Sequence, residues 1–259
     1  MGKIEPRCIV ISLLLGSACT GGEESHASDV ETGGDGGVEA ETMAADPACP
    51  DPSEVIDPTA VIDDMEDTNP NVLRIGDRTG AWWTASDETP GGTLVPPFGG
   101  PASPEALPEP RCGSQYAMHI TGQGYNEWGA MLGLSFVYDP AGTVFYDASA
   151  WEGITFWARI GDTSTNQVRF AITDVTSDPA GGVCVEDGPP GEACYDTFGV
   201  PLMGLDVVWK RYKIPFRGLS QRGFGIQAEA VESSQLNNLN FNFEPGAIFD
   251  LSIDDIAFY

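Results

Sequence analysis

From residue 60 onward the chain consists of short runs in which apolar and polar residues alternate, separated by Gly, Pro, Asp and Asn. In 153–160, Ile154, Phe156, Ala158 and Ile160 fall on one side of a two-residue period, with Thr155, Trp157 and Arg159 on the other. In 166–174, Val168, Phe170 and Ile172 oppose Arg169, Ala171 and Thr173; in 236–243, Leu239, Phe241 and Phe243 oppose Asn238, Asn240 and Asn242. That period belongs to strands with one buried face. The same texture, rich in β-branched and aromatic residues, predicts strands in 60–66, 81–85, 115–121, 128–138, 207–216 and 247–259. Two stretches, 87–111 and 175–204, read as long loops. No long window carries a helical stripe, and 219–225 has room for a single helical turn. There is no internal repeat. The expectation is one all-β domain over 59–259, most simply a two-sheet sandwich.

The polar sides of those three strands carry a particular chemistry. If the strands are neighbours, Trp157, Arg159, Arg169, Asn240 and Asn242 form a platform of hydrogen-bonding groups beside an aromatic plate. Sugars need that combination, because hydroxyls want donors and acceptors while the C–H face of the ring wants a flat apolar surface. The competing reading is an ordinary solvated sheet face. Trp157, Arg159 and Arg169 under a lid or in separate environments would remove the platform. His119, opposite Tyr116, Met118 and Ile120, is either a sugar contact or a satisfied sheet histidine. Trp151 and Trp209 read as packing residues. Trp82 and Trp83 are adjacent, so one faces in and the other out.

Composition narrows the class. Asp and Glu outnumber Lys and Arg 39 to 12, for a formal net charge of −27. Phosphate backbones would be repelled, which excludes nucleic acid as a partner. The first eighteen residues combine Lys3 and Arg7 with an apolar stretch ending in Gly16-Ser17-Ala18, as in an export signal too short to span a bilayer. Cys19 follows directly and resembles the lipidated cysteine of bacterial lipoproteins, although Gly16 stands where Leu is commonest. Residues 20–58 hold eleven acids and no Lys or Arg. Such a stretch cannot bury enough surface to offset its ordering entropy, so 19–58 reads as a disordered tether. A cell-envelope protein, anchored to a membrane only through its N-terminal lipid, is the expectation.

Beyond Cys8 and Cys19, four cysteines remain, and an even number in an exported chain implies disulfides. Cys184 and Cys194 flank an acidic Gly/Pro loop and suit a local bridge; Cys49–Cys112 follows by elimination. No CxxC or Cys/His cluster supports zinc.

Four segments, Ile62-Asp-Asp-Met-Glu-Asp67, Tyr146-Asp-Ala-Ser-Ala-Trp-Glu-Gly-Ile-Thr-Phe-Trp-Ala158, Trp209-Lys-Arg-Tyr-Lys-Ile-Pro-Phe216 and Phe249-Asp-Leu-Ser-Ile-Asp-Asp-Ile-Ala-Phe258, resemble bacterial carbohydrate-binding modules of the galactose-binding-like jelly-roll kind. The pattern is similar to family 11 modules and CIA30-type domains from about Val61 to the end. Between them, Trp82-Trp-Thr-Ala-Ser-Asp87, Gly122-Gln-Gly-Tyr-Asn-Glu-Trp-Gly-Ala130 and two further segments, one at each of Cys184 and Cys194, resemble a subgroup found as bacterial, often myxobacterial, lipoproteins. The resemblance implies a jelly-roll β-sandwich that binds polysaccharide or oligosaccharide without catalysis; a monomer is the expectation. The resemblance also implies a structural calcium between the first and last strands, for which Asp64, Glu66, Asp254 and Asp87 supply carboxylates.

Catalytic motifs do not support an enzyme. No Gly-x-Ser-x-Gly elbow presents a nucleophile to His119, the other histidine, His26, lies in the tether, and no His-Glu-x-x-His is present. Gly122-x-Gly opens no helix, which excludes a dinucleotide loop. Paired acids of a glycosidase cannot be excluded by pattern, so a hydrolase stays behind two other readings, a glycan-binding lipoprotein and a structural or adhesion module.

Overall fold

The computed structural model describes Cys49 and residues 56–259. The export signal, Cys19, His26 and most of the tether lie outside the described residues. Among the described residues twelve strands follow in order: β1 (Val61–Asp63), β2 (Trp82–Ser86), β3 (Thr93–Val95), β4 (Glu105–Arg111), β5 (Ser114–Gln123), β6 (Ala130–Ser135), β7 (Gly153–Ile160), β8 (Val168–Asp174), β9 (Phe198–Pro201), β10 (Lys210–Pro215), β11 (Leu236–Phe243) and β12 (Phe249–Phe258). They form two antiparallel sheets. One has the order β10-β7-β12-β5-β3, with β1 on β12 and β4 on β5; the other has the order β2-β6-β11-β8-β9. Successive strands from β5 to β8 alternate between the sheets, giving the jelly-roll sandwich.

The alternation predicted in β7, β8 and β11 is present. Phe156 of β7 stacks on Phe170 of β8 at 5.4 Å and meets Phe241 of β11 edge-on at 5.0 Å. Leu132, Leu134, Ile172 and Leu239 pack from one sheet, and Met118, Ile120, Leu251 and Ile253 from the other, all fully buried. Each such side chain contributes about 1.5–3 kcal/mol. Three strands arise where loops were expected: β3 and β4 within 87–111, and β9 within 175–204. All three are marginal in sequence. β4 contains Pro108 and Pro110, tolerated because it pairs with β5 alone and in broken register between Ala106 and Arg111. The helical turn expected in 219–225 is absent: a 3₁₀ turn, Phe216–Gly218, ends just before, and Leu219 is already extended.

Both expected disulfides are formed, Cys49–Cys112 and Cys184–Cys194. Near β1, the Trp82 indole N–H donates to Asp63 Oδ2 at 2.8 Å, and Met65 N–H donates to its Oδ1 at 2.9 Å. Burial pushes the Asp63 carboxyl up to about 7. Arg78, also fully buried, donates to the carbonyls of Thr59 and Val61 at 2.9 and 2.7 Å and lies over Tyr146 and Phe258. It fastens the entering segment to the last strand, where β1 adds to β12.

Candidate functional site

The two sheets meet through Phe156, Phe170 and Phe241, so the opposite faces of β7 and of β8 and β11 look outward on opposite sides of the sandwich. The single platform expected from periodicity therefore does not exist. Trp157, Arg159 and His119 belong to the seven-stranded sheet, whereas Arg169, Asn240 and Asn242 belong to the five-stranded one.

On the seven-stranded sheet Trp157 is only 4% exposed. The Arg111 guanidinium lies 4.7 Å from its ring centroid, held there by Asp254 at 2.9 Å and by Asp255. Trp157 is thus a packed residue, not an open stacking plate. Arg159 lies over Trp209 at 5.1 Å. His119 sits between Glu105 and Asp250, at 3.0 and 2.9 Å, which makes it a satisfied sheet histidine. Burial works to lower its pKa, but these two carboxylates prevail and raise it. A depression of about 370 Å³ beside it is lined by Glu105, Leu107, His119, Arg159, Asp162 and Asp250.

The acids expected to hold calcium do not gather. Asp254 is bound to Arg111. Glu66 Oε1 accepts the Gln115 and Tyr116 N–H groups at 2.8 and 3.1 Å. Asp64 Oδ1 accepts Glu66 N–H. Asp87 Oδ2 accepts three consecutive N–H groups, of Glu127, Trp128 and Gly129. Against the desolvation that would raise its pKa, Thr89 and these backbone donors hold Asp87 well below the carboxylate range. Among the described residues no three His, Cys, Asp or Glu side chains form a cation's ligand set, so the donor set does not fit the calcium implied by the resemblance.

The outer face of the five-stranded sheet is different in kind. Registered pairs run across all five strands as a row: Trp83, Gly133, Asn240, Ala171, Gly199. A second row, Ala85, Met131, Asn242, Arg169, Pro201, lies beside it. On the other side, Asn238 stands between Ser135 and Thr173. Of the two adjacent tryptophans, Trp82 is buried at 1% exposure and Trp83 turns to this face. Its indole lies down on Gly133, where a Cβ would come within 2.3 Å of the ring, and its N–H donates to Ser135 Oγ at 3.0 Å. At the far end the Arg169 side chain covers Gly199, whose Cβ would fall 2.9 Å from Nε. Its Nη2 donates to the carbonyls of Thr197 and Ser220 at 3.2 and 2.7 Å.

Small residues thus keep the middle of the row low between a tryptophan and an arginine. Asn240, 4% exposed, donates to Asn238 Oδ1 at 2.9 Å and more weakly to Thr173 Oγ1, leaving its own Oδ1 without a partner among the described residues. It is a floor residue, and the accessible amides are those of Asn238 and Asn242, both half-buried. Trp83 and Ser135 are the members that periodicity alone left unassigned. The pairing of β6 with β11 sets Ser135 opposite Asn238, and the pairing of β2 with β6 adds Trp83 to the row of Asn240.

No protein-family model matches the chain, and no curated protein matches it. Among solved structures it is similar to the family 11 carbohydrate-binding module of the cellulosomal cellulase Lic26A-Cel5E of Clostridium thermocellum, at 16% identity and a TM-score of 0.46 over 76% of this chain and 92% of that one. It is similar also to a family 11 module from Clostridium thermocellum in complex with a β-1,3-1,4-mixed-linked tetrasaccharide, at 18% identity and 0.47 over 77% and 94%. A third similar structure is the family 30 module of the Clostridium thermocellum cellulase Cel9D-Cel44B, at 14% identity and 0.43 over 69% and 90%.

Proposed function

We propose that the outer face of the five-stranded sheet binds carbohydrate without transforming it. The observation that carries this reading is the row from Trp83 to Gly199: an aromatic plate lying flat on a glycine, a small-residue floor, and amides and a guanidinium around it. A pyranose stacks its C–H face on the indole and offers its hydroxyls to Asn238, Asn242 and Arg169. Affinity electrophoresis of the whole chain in gels carrying glucans, mannans or pectins tests it. Retardation by at least one polysaccharide, lost in Trp83→Ala, is the expected result; folded protein that none of them retards overturns the reading.

The N-terminal sequence supports export and lipid attachment at Cys19, which would hold the domain at the cell envelope. Incorporation of labelled fatty acid that persists in Cys19→Ser overturns that part alone.

A further inference from the structure

At the Arg169–Pro201 end of its second row, the same sheet face runs into a depression of about 540 Å³ lined in part by Gln167, Arg169, Pro201, Met203, Arg222 and Glu244. Its charge is unlike that of the chain as a whole. Acids outnumber bases 39 to 12 over the sequence, yet two arginines line this depression with one carboxylate, Glu244. Lys210 adds a third cation at the rim. Its ammonium donates to the Met203 carbonyl at 3.4 Å and would lie 2.6 Å from a Cβ on Gly204, a lining residue.

Glu244 is taken by Arg222. Arg169 donates to two carbonyls and has no carboxylate in ion-pair contact among the described residues. Its partial burial, and next the charge of Arg222, hold its guanidinium below the ordinary pKa. A guanidinium withdrawn from water favours an anionic, planar, doubly accepting partner. Among the described residues Asp196 and Glu244 act on Arg169 only as nearby charges that raise its pKa, and neither forms an ion pair with it, although the sequence has acids in excess.

We infer that this depression takes a carboxylate or sulfate group of the bound polysaccharide, so that the ligand is an acidic glycan. The inference rests on the sheet face being a glycan platform and names the class of its ligand. Trp83 on β2 and Arg169 on β8 are three strand steps apart, about 14 Å at about 4.8 Å per step. An oligosaccharide stacked on Trp83 reaches that far, and a single sugar does not.

A chain of net charge −27 is repelled by a polyanion in general, so retardation by one reports a specific site. The test is affinity electrophoresis of the whole chain against polygalacturonate, the same polymer with its carboxylates reduced to alcohols, dextran sulfate, and a neutral mixed-linkage glucan. The variant is Arg222→Gln, at a side chain 45% exposed, with Trp83→Ala beside it. The expected result is retardation by polygalacturonate or dextran sulfate, the two arms separating carboxylate from sulfate. Polygalacturonate binding should weaken about tenfold or more on carboxyl reduction, and binding of either anion should weaken similarly in Arg222→Gln. Trp83→Ala should abolish acidic binding too. Retardation by neutral polymers only overturns the acidic-glycan inference and leaves the platform standing. Acidic binding indifferent to Arg222→Gln overturns the inference as well. No retardation by any polymer overturns both.

Discussion

The ring of Phe156 lies against that of Phe170 across the sandwich, centroids 5.4 Å apart and planes inclined by 28°. Because each strand turns alternate residues to opposite faces, this contact sends their chain neighbours Trp157 and Arg169 to opposite sides of the molecule.

Trp157 and Trp83, on the outer faces of the two different sheets, should therefore behave oppositely when truncated. Trp157→Ala removes a packed ring from beneath Arg111 and should destabilise the domain by about 3–5 kcal/mol while leaving polysaccharide binding in the folded fraction. Trp83→Ala should abolish retardation at a cost in stability of about 1–2 kcal/mol, the half-buried indole losing less surface. Denaturant melts and affinity gels on the same two preparations decide it; binding lost with Trp157 and kept without Trp83 would refute the placement of the site.

Gly133 is needed for the plate to lie flat. A Cβ there meets the Trp83 ring at 2.3 Å, so Gly133→Ala must lift the indole from the sheet. The outcome to look for is a shift in tryptophan fluorescence with weakened glycan binding and a fold retained by circular dichroism. Unchanged binding would mean that the ring position does not matter.

Arg111 joins the first disulfide to the buried end of β12. Its guanidinium stacks on Trp157 and bonds Asp254, which is fully buried. Arg111→Met keeps much of the packing but leaves Asp254 without its cation, and should destabilise by about 3–5 kcal/mol at pH 8. The loss should shrink at pH 5, since burial, then Asp255, push Asp254 up to about 6 and let it protonate. A loss equal at both pH values would show that the charge pair contributes nothing.

Stability should fall as pH rises from about 4 to 8. Asp63, raised to about 7, and Asp254, raised to about 6, bind protons more tightly folded than unfolded. Their contribution is complete below the unfolded carboxylate pKa of about 4 and disappears as pH passes the folded values. His119, raised by Glu105 and Asp250 against its burial, works in the same direction. Asp87 and Asp196, whose pKa values are lowered, matter only below about pH 4. For Asp63 alone the span is at most about 4 kcal/mol, at about 1.4 kcal/mol per pKa unit. Urea titrations at pH 5 and pH 8 measure it, and Asp63→Asn should flatten the slope whatever its absolute stability. Greater stability at pH 8 would contradict the burial of these acids.

Much of this was legible in the chain. The inward residues of β7, β8 and β11, both disulfides and the all-β class follow from alternation, turn residues and an even set of cysteines. β3, β4 and β9 were not legible, because β3 and β9 are only three and four residues long, β4 and β9 carry Pro, and each pairs with a single strand instead of showing a pattern of its own. That the candidate calcium acids do not gather was hidden for a related reason. A carboxylate's residue type is visible in sequence, but whether backbone N–H groups or Arg111 have already claimed it is not.

The sequence by itself determined which side chains of each strand leave the core, since that depends only on the two-residue period of a single backbone. Tertiary structure alone decided which outward side chains share a surface. Trp83, Asn240 and Arg169 share one sheet face, and Trp157 is not on it, because sheet membership is set by pairing and packing between segments far apart in the chain. Local alternation is the same whichever partner a strand takes.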